Sequence, residues 1–265
     1  MSSKGTALIT GASSGIGATY ADRLARRGYD LLLVARDQDR LETLATQLRD
    51  KTGVAVEVLR ADLTDSADVT KLAQRLRSDS SITLLLNNAG VASGRSLVEA
   101  DPAEVDRLIA LNIVALTHLT SAAAAGFLSN GRGAILNVAS VVAMIPERFN
   151  AIYTASKAYV LSLTQSLHAE VGEKGIQVQA ILPGATRTEI WERAGMDLNA
   201  FPPEMVMDVN EMVDAALAGF DQRELVTIPS LSNAADWDAM VNARLALGPN
   251  LSLQHAAARY KTTGA

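Results

Sequence analysis

The chain has 265 residues, of which 48% are hydrophobic, and a formal net charge of −5. A chain of this length can bury a sizeable core, and its charge argues against nucleic acid or another polyanion as a partner. It contains no cysteine, which excludes disulfides, a thiolate nucleophile and a cysteine-ligated metal site. The first residues lead directly into an apolar run and leave no room for a signal peptide, so we expect a cytoplasmic protein.

Apolar runs that suit buried strands alternate along the chain with amphipathic segments that suit helices. The strands are predicted at about 6–10, 30–35, 54–59, 82–87, 133–139, 176–182 and 224–228. Helices are predicted between them, at about 18–27, 38–50, 66–78 and 151–173. Strands that alternate with helices form a parallel sheet covered on both faces, because each crossover carries a helix. We therefore predict an α/β fold, a doubly wound parallel sheet of about seven strands, in a single domain over residues 1–265.

A glycine-rich turn follows the first predicted strand. The segment reads Gly11-Ala12-Ser13-Ser14-Gly15-Ile16-Gly17 and leads into the first helix. Backbone N–H groups at such a turn, together with the helix dipole, favour an anion. Each glycine lets the backbone approach a diphosphate, or the helix approach the sheet. The spacing differs from the commoner Gly-x-Gly-x-x-Gly, but its place between a strand and a helix makes it strong evidence for a phosphate-binding turn.

The end of the second predicted strand bears on which dinucleotide would bind. An acidic side chain there would bind the ribose 2′-hydroxyl of NAD and repel a 2′-phosphate. The expected position is instead Ala35, and the next residue, Arg36, can hold a phosphate bidentately. NADP is therefore favoured. NAD(H) stays open, because a small shift of register would bring Asp37 to the ribose, and an ordinary surface position is the alternative for Arg36.

Residues 108–131 contain no Asp, Glu, Lys or Arg and are long enough to span a bilayer. Polar residues such as Asn112 and His118 interrupt the stretch, and it begins like a soluble helix, with Asp101 as N-cap and Pro102 in the first position. We predict a helix buried against the sheet and against another subunit, with no membrane span. Asn112 needs a partner inside this helix, and a purely structural role is one interpretation of it.

Ser140, Tyr153 and Lys157 form a candidate catalytic set. Four residues separate Tyr153 from Lys157, which on a helix places the ammonium near the phenol. Such pairs are common on helix surfaces, but a neighbouring cation lowers the pKa of a phenol, and a tyrosine so tuned can exchange a proton with an alcohol or ketone oxygen. Ser140 ends a predicted strand and can donate a hydrogen bond to that oxygen. Ser156 points about 60° away from the pair, so we assign it to helix packing.

The motifs occur in a recognisable order. They are Thr10-Gly11-x-x-x-Gly15-x-Gly17, Asp62-Leu63, Asn87-Asn88-Ala89-Gly90, Asn112, Ser140, Tyr153-x-x-x-Lys157 and Pro183-Gly184. Nearly the whole chain therefore resembles the short-chain dehydrogenase/reductase family. The resemblance implies a Rossmann-like fold with Ser140, Tyr153, Lys157 and Asn112 as catalytic residues. It also implies that Asn112 bends its helix and holds a water joined to Lys157, and that Asn87 and Asn88 border the cofactor and brace the sheet.

The resemblance further implies which residues bind the cofactor. Asp62 would contact the adenine with Leu63 beside the ring, Pro183-Gly184 would flank the nicotinamide, and Thr188 would bind its carboxamide. The full expected set is Gly11, Ser13, Ser14, Gly15, Ile16, Gly17, Arg36, Asp62, Leu63, Asn88, Ala89, Gly90, Tyr153, Lys157, Pro183, Gly184, Thr186 and Thr188.

The expected function is an NADP(H)-dependent oxidoreductase that interconverts a ketone or aldehyde and an alcohol. The stretch from Pro183 to Trp191 resembles a bacterial branch of the family whose members mostly lack an assigned substrate. A cofactor-binding regulator without catalysis, and an epimerase or lyase on the same scaffold, stay open as alternatives. The candidate pocket residues are mostly apolar, which suggests a small hydrophobic carbonyl or alcohol; they are Val141, Val142, Met144, Ile145, Phe149, Trp191 and Met196.

Two predicted helices, 108–127 and 151–171, are too apolar for a solvated surface. We therefore predict a homodimer or homotetramer through these helices; coverage by loops of the same chain is the alternative. The resemblance implies a substrate lid at about 186–210, and a C-terminal extension follows at about 233–265. The three histidines lack ligand spacing, so no metal site is expected.

Overall fold

The computed structural model describes residues 4–261. They form two compact units, one that ends at Pro229 and one that begins at Ser230. The first unit carries every predicted strand and every candidate site residue. A single domain over the whole chain stays a prediction.

The first unit is built on one seven-stranded sheet with the spatial order β3-β2-β1-β4-β5-β6-β7. Every neighbouring pair is parallel, which confirms the predicted fold class. The largest difference from the predicted strands is at β7, which the sequence predicts at about 224–228. It is an edge strand of only two residues that pairs with β6 alone. The strands are β1 (Thr6–Thr10), β2 (Asp30–Ala35), β3 (Val56–Arg60), β4 (Ile82–Asn87), β5 (Gly133–Val138), β6 (Ile176–Ile181) and β7 (Val226–Thr227).

Helices cover both faces of this sheet. Along β1, Ile9 packs into one core with Leu24 and Val213, whereas Leu8 packs into the opposite core with Phe127. Strands buried on both faces read as continuous apolar runs, which is why the sequence predicts them well. The helices of this unit are α1 (Gly15–Arg26), α2 (Gln38–Thr52), α3 (Ser66–Ser78), α4 (Pro102–Ile109), α5 (Leu116–Asn130), α6 (Ala151–Val171), α7 (Ile190–Arg193) and α8 (Val209–Asp221).

The apolar stretch that raised the question of a membrane span is the segment Pro102–Asn130. A π-helical turn, Ala110–Ala115, joins α4 to α5 within it. The segment is long and apolar enough to cross a membrane by length and composition alone, but half of its most apolar 18-residue window is buried inside the protein. Its start is as predicted, because the Asp101 carboxylate accepts a hydrogen bond from the Ala103 N–H at 2.9 Å.

A buried chain of polar side chains ties two helices to the middle of the sheet. Asn87 on β4 donates to Thr120 on α5 and to Asn137 on β5, both at 2.9 Å. Asn137 in turn donates to Thr164 on α6 at 3.0 Å. Because buried polar groups are costly when unpaired, this chain favours one register of α5 and α6 on the sheet. The catalytic residues predicted on α6 therefore have a defined position.

The second unit contains α9 (Ala234–Leu245) and two short 3₁₀ turns. None of its described residues, 230–261, is buried. Large apolar side chains are exposed along it, including Leu245, Leu251 and Tyr260. The predicted C-terminal extension lies in this unit, and its last four residues fall outside the described part of the chain.

Candidate active site

The turn between β1 and α1 depends on its glycines. Gly11 and Gly15 have φ values of +66° and +53°, in the left-handed region that other residues rarely adopt. Gly17 is buried beneath the turn, and a Cβ atom on it would lie 2.3 Å from the carbonyl oxygen of Gly11. A side chain at position 17 would therefore displace the backbone of the turn.

Asn88 holds this turn against the end of β4. Its Nδ2 donates to the carbonyl oxygens of Thr10 at 2.9 Å and Gly11 at 3.1 Å. The Thr10 hydroxyl accepts hydrogen bonds from the N–H groups of Asn88 and Ala89, both at 3.0 Å. The structure thus contains the bracing that the resemblance implied for this motif. Contact of these residues with a cofactor stays a prediction.

A cleft of about 440 Å³ opens above the turn, at the carboxyl ends of β1 to β4. Ligands bind at this edge in open parallel sheets. Of the expected cofactor-binding residues, six do not line it: Gly17, Tyr153, Lys157, Pro183, Gly184 and Thr186. The expected cofactor-binding residues that do line it are Gly11, Ser13, Ser14, Gly15, Ile16, Arg36, Asp62, Leu63, Asn88, Ala89, Gly90 and Thr188.

The charges at the end of β2 fit a phosphate better than a ribose hydroxyl. Arg36 lines the cleft, and its guanidinium makes no hydrogen bond or ion pair with any residue between 4 and 261, although it lies near the Asp62 carboxylate. Asp37, which kept NAD(H) open, is the N-cap of α2 and accepts from the Arg40 N–H at 3.0 Å. With the glycine turn below it, this unpaired cation fits a dinucleotide that carries a 2′-phosphate.

Asp62 lines the cleft just after the end of β3. Burial works against its negative charge, but hydrogen bonds from Thr64 and the nearby Arg36 guanidinium keep its pKa below the usual range. Its Oδ1 accepts from the Thr64 N–H at 3.0 Å and hydroxyl at 2.8 Å. These contacts are also those of an ordinary turn residue, so contact with adenine stays a prediction.

Three further charged residues, Arg40, Glu189 and Arg193, line the cleft, and the sequence patterns do not indicate them. Arg40 on α2 donates to both carboxylate oxygens of Glu189, at 2.8 and 3.1 Å. Arg193 donates to the same carboxylate at 2.5 Å and lies 3.4 Å from the Ser14 hydroxyl. Arg40 lies four residues after Arg36, which precedes the N-cap of α2, and this closeness in sequence is a weak signal for a shared site. Nothing in the sequence indicates its pairing with a residue 149 positions away.

Ser140 and Tyr153 meet beyond the end of β5. Ser140 is buried at the start of a 3₁₀ turn, Val141–Met144, and its hydroxyl donates to the Pro183 carbonyl at 3.3 Å. Asn150 caps α6 by accepting from the Tyr153 N–H at 3.1 Å, which fixes where the tyrosine enters the helix. The Ser140 side chain lies close enough to the Tyr153 phenol to act on its pKa, which it lowers against the larger effect of burial. The two hydroxyls that the sequence analysis assigned to one substrate oxygen are therefore neighbours.

Lys157 lies on the same face of α6 as Tyr153, with its Nζ 5.6 Å from the centre of the phenol ring. The ammonium donates to the Val138 carbonyl at 2.9 Å. Burial lowers its pKa to about 8, and burial raises the pKa of Tyr153 to about 12 although the Ser140 hydrogen bond acts in the opposite direction. The prediction that the pKa of Tyr153 lies below its usual value is therefore wrong here, because burial of the phenol is the larger effect.

Asn112 lies in the π-helical turn, which is the irregularity expected at this position. Its amide exchanges two hydrogen bonds with the backbone of Val91, both at 2.9 Å, and donates to the Ser156 hydroxyl at 3.2 Å. Ser156 is fully buried and donates to the Tyr153 carbonyl at 2.7 Å, consistent with packing. A Cβ atom on Gly90 would lie 3.2 Å from the Asn112 oxygen and 3.7 Å from the Lys157 Nζ. A water link between these two groups stays a prediction.

The candidate pocket residues occupy the turn after Ser140 and the segment after β6. Val142 is buried, whereas Phe149 is 40% exposed. Trp191 donates to the Thr186 carbonyl at 2.8 Å and packs edge-on against Phe201. Val141, Met144, Ile145 and Met196 complete the set, which together with the lid at 186–210 stays a prediction. Between residues 4 and 261, no three His, Cys, Asp or Glu side chains group to hold a metal ion.

Known proteins resemble this chain over most of its length. Residues 5–199 match the model of the short chain dehydrogenase family. A short-chain dehydrogenase from Sphingobium yanoikuyae, solved in complex with NADPH, is 56% identical with a TM-score of 0.94, over 97% of this chain and all of that one. A bulky-bulky ketone specific alcohol dehydrogenase from Comamonas testosteroni is 49% identical with a TM-score of 0.90, over 98% and 99% of the two chains.

An uncharacterized oxidoreductase from Staphylococcus saprophyticus is 31% identical over 223 residues, which are 84% of this chain and 93% of that protein. The family match spans β1 to β6 and includes the glycine-rich turn, Ser140, Tyr153 and Lys157. The chain therefore belongs to the short chain dehydrogenase family.

Proposed function

We propose that the chain is an NADP(H)-dependent oxidoreductase that interconverts a ketone or aldehyde and an alcohol by hydride transfer. The observation that carries the proposal is the grouping of Ser140, Tyr153 and Lys157 beyond the end of β5. Gly90, which lines the cleft, adjoins Lys157 and so connects this group to the phosphate-binding turn.

The side chains divide the chemistry between them. Bound NADPH would supply the hydride. Tyr153, whose pKa is raised to about 12, holds its proton at neutral pH and can give it to a carbonyl oxygen. Ser140 can turn its hydroxyl hydrogen from the Pro183 carbonyl to the same oxygen and stabilise the negative charge that develops there. Lys157 places a positive charge near the phenol, which favours the phenolate as the proton leaves.

The preference for NADP(H) is supported by the charges of the cleft. Ala35 leaves the end of β2 without an acid, Arg36 is unpaired among the described residues, and Asp37 is engaged as a helix cap. The relative from Sphingobium yanoikuyae that was solved with NADPH shares 56% of its residues with this chain.

The substrate is proposed to be a hydrophobic ketone or the corresponding secondary alcohol. The residues expected around Ser140 and Tyr153 are mostly apolar, and burial of apolar substrate surface would favour binding. The relative from Comamonas testosteroni is named for bulky-bulky ketones and is 49% identical. Ketones with two bulky substituents are therefore the first compounds to test.

A carbonyl and alcohol panel tested with NADPH and NADH separates this proposal from its alternatives. We expect oxidation of NADPH with hydrophobic ketones and its loss in Tyr153→Phe. Binding of NADPH without turnover on any compound would favour the regulator. Conversion of a substrate without net change in NADPH would favour an epimerase or lyase.

We also propose a homodimer or homotetramer. Val114 and Leu128 on the long apolar segment and Tyr159 on α6 are 45%, 37% and 37% exposed, and apolar surface on two adjacent helices favours association with a symmetric copy. Light scattering should give a multiple of 28.0 kDa, and a monomer would contradict the proposal. A cytoplasmic location stays a prediction.

A further inference from the structure

Arg40 connects the two sides of the cleft. It lies in the first turn of α2, and its Nη1 donates to both carboxylate oxygens of Glu189, at 2.8 and 3.1 Å. Its Nε lies 3.4 Å from the Asp37 carboxylate. Glu189 directly precedes α7, in the segment predicted as the lid. The Arg40–Glu189 ion pair therefore links the wall expected to hold the 2′-phosphate to the segment after β6.

The guanidinium of Arg40 keeps one edge available. Among the described residues, none accepts a hydrogen bond from its Nη2. Arg36, four residues earlier, has no partner there and lines the same cleft. Two cations thus face the place where Ala35 leaves room for a phosphate; Arg40 is held in an ion pair, whereas Arg36 lies near the Asp62 carboxylate without a hydrogen bond or ion pair to it.

The partner of Arg40 can be displaced by a stronger anion. The hydrogen bond from Arg40 holds the pKa of Glu189 below its usual range, so Glu189 is ionised at neutral pH. The two side chains are 48% and 45% exposed, and an ion pair this exposed contributes little free energy. A phosphate monoester carries up to two negative charges and can accept two parallel N–H groups from a guanidinium.

We propose that Arg40 is a second specificity-determining cation for the 2′-phosphate of NADP(H), and that Glu189 weakens the binding of this phosphate by competing for the Arg40 guanidinium. This inference rests on the proposed function only for the identity of the cofactor. NADH lacks the 2′-phosphate, so the competition acts on NADPH and leaves NADH nearly unaffected. Loss of the Glu189 carboxylate would also free Arg193, which lies near Ser14 in the glycine-rich turn. That turn would bind the diphosphate that NADPH and NADH share, so this effect cancels in the ratio of their affinities.

Isothermal titration of NADPH and NADH, without substrate, tests the proposal through dissociation constants. Arg40→Gln should weaken the binding of NADPH about tenfold, because it removes a partly exposed charge-assisted contact. The affinity for NADH should change by less than about twofold, because NADH has no 2′-phosphate. Glu189→Gln should tighten NADPH relative to NADH by about threefold, because the exposed competitor is removed. In the double variant the effect of Glu189→Gln on the NADPH/NADH ratio should vanish, because the two anions no longer share a cation.

Arg132→Gln and Glu173→Gln are matched controls, since both residues are exposed and precede β5 and β6, at the edge of the sheet opposite the cleft. Both should bind as the wild type does. An unchanged NADPH/NADH ratio in Arg40→Gln would overturn the role of Arg40. Weaker NADPH binding in Glu189→Gln, or an effect of this change that persists in the double variant, would overturn the competition. A wild type without preference for NADPH would instead contradict the proposed cofactor.

Discussion

Replacement of Lys157 by methionine should stabilise the protein and remove its activity. Burial lowers the pKa of this ammonium from 10.5 to about 8. At about 1.4 kcal/mol for each pKa unit, a charged Lys157 costs roughly 3 kcal/mol of stability at neutral pH. Methionine has a similar length and no charge, but it leaves the Val138 carbonyl without its donor, which costs about 1–2 kcal/mol. The free energy of unfolding should therefore rise by about 1–2 kcal/mol at pH 7.

The increase in the free energy of unfolding caused by Lys157→Met should depend on pH in a defined direction. Between the folded pKa of about 8 and the unfolded pKa of 10.5, the unfolded wild type binds more protons than the folded protein, so wild-type stability rises with pH. The advantage of Lys157→Met should thus be largest below pH 8 and decrease above it. Tyr153 acts in the opposite direction only above pH 10, because its folded pKa is raised from 10.0 to about 12, and measurements up to pH 9.5 avoid it.

Urea unfolding followed by circular dichroism at pH 7 and pH 9.5 measures this effect. Lys174→Met is a control, because Lys174 is exposed at the end of the same helical segment and should show no change with pH. If Lys157→Met proved less stable than the wild type at pH 7, or if its advantage did not shrink with pH, the reasoning from burial would be refuted. Loss of NADPH oxidation in the same variant checks the functional half of the prediction.

Three further predictions concern the site. Tyr153→Phe should bind NADPH normally and lose at least ~100-fold in turnover; wild-type turnover would exclude it as the proton donor. Gly17→Ala should lower both the melting temperature and NADPH affinity, because its Cβ would lie 2.3 Å from a carbonyl oxygen, whereas Gly248→Ala meets no atom within 4 Å and should change neither. Ala35→Asp with Arg36→Ser should shift kcat/KM from NADPH toward NADH, and a wild type that already prefers NADH would contradict the argument from Arg36.

The sequence predicts the sheet well for a physical reason. Residues 31–34 are buried on both faces, so the second strand appears as an unbroken apolar run. The edge strand β7 pairs with β6 alone. Its apolar run in the sequence is longer than the two residues that form the strand. The exposed second unit has no buried residue between 230 and 261, so periodicity says little about it.

The site was predictable where one short segment determines it, and not where distant segments meet. Four residues are enough to place Lys157 near Tyr153. The direction of the ammonium, however, depends on the Val138 carbonyl of a different element, and the burial that raises the pKa of Tyr153 comes from the whole fold. Likewise, Arg40 and Glu189 each occupy exposed polar positions, where the pattern carries no information about partners.

The π-helical turn at Ala110–Ala115 affects which changes in chain length the protein can tolerate. Its i→i+5 hydrogen bonds hold one residue more than a regular α-helical turn. We expect that deletion of one residue between Asn112 and α5 would make the helix regular and leave α5 in place on the sheet. Asn112 would then rotate by about 100° relative to α5 and lose its two hydrogen bonds to Val91. Loss of a single codon between Asn112 and α5 should therefore be a change that the fold accepts and the site does not.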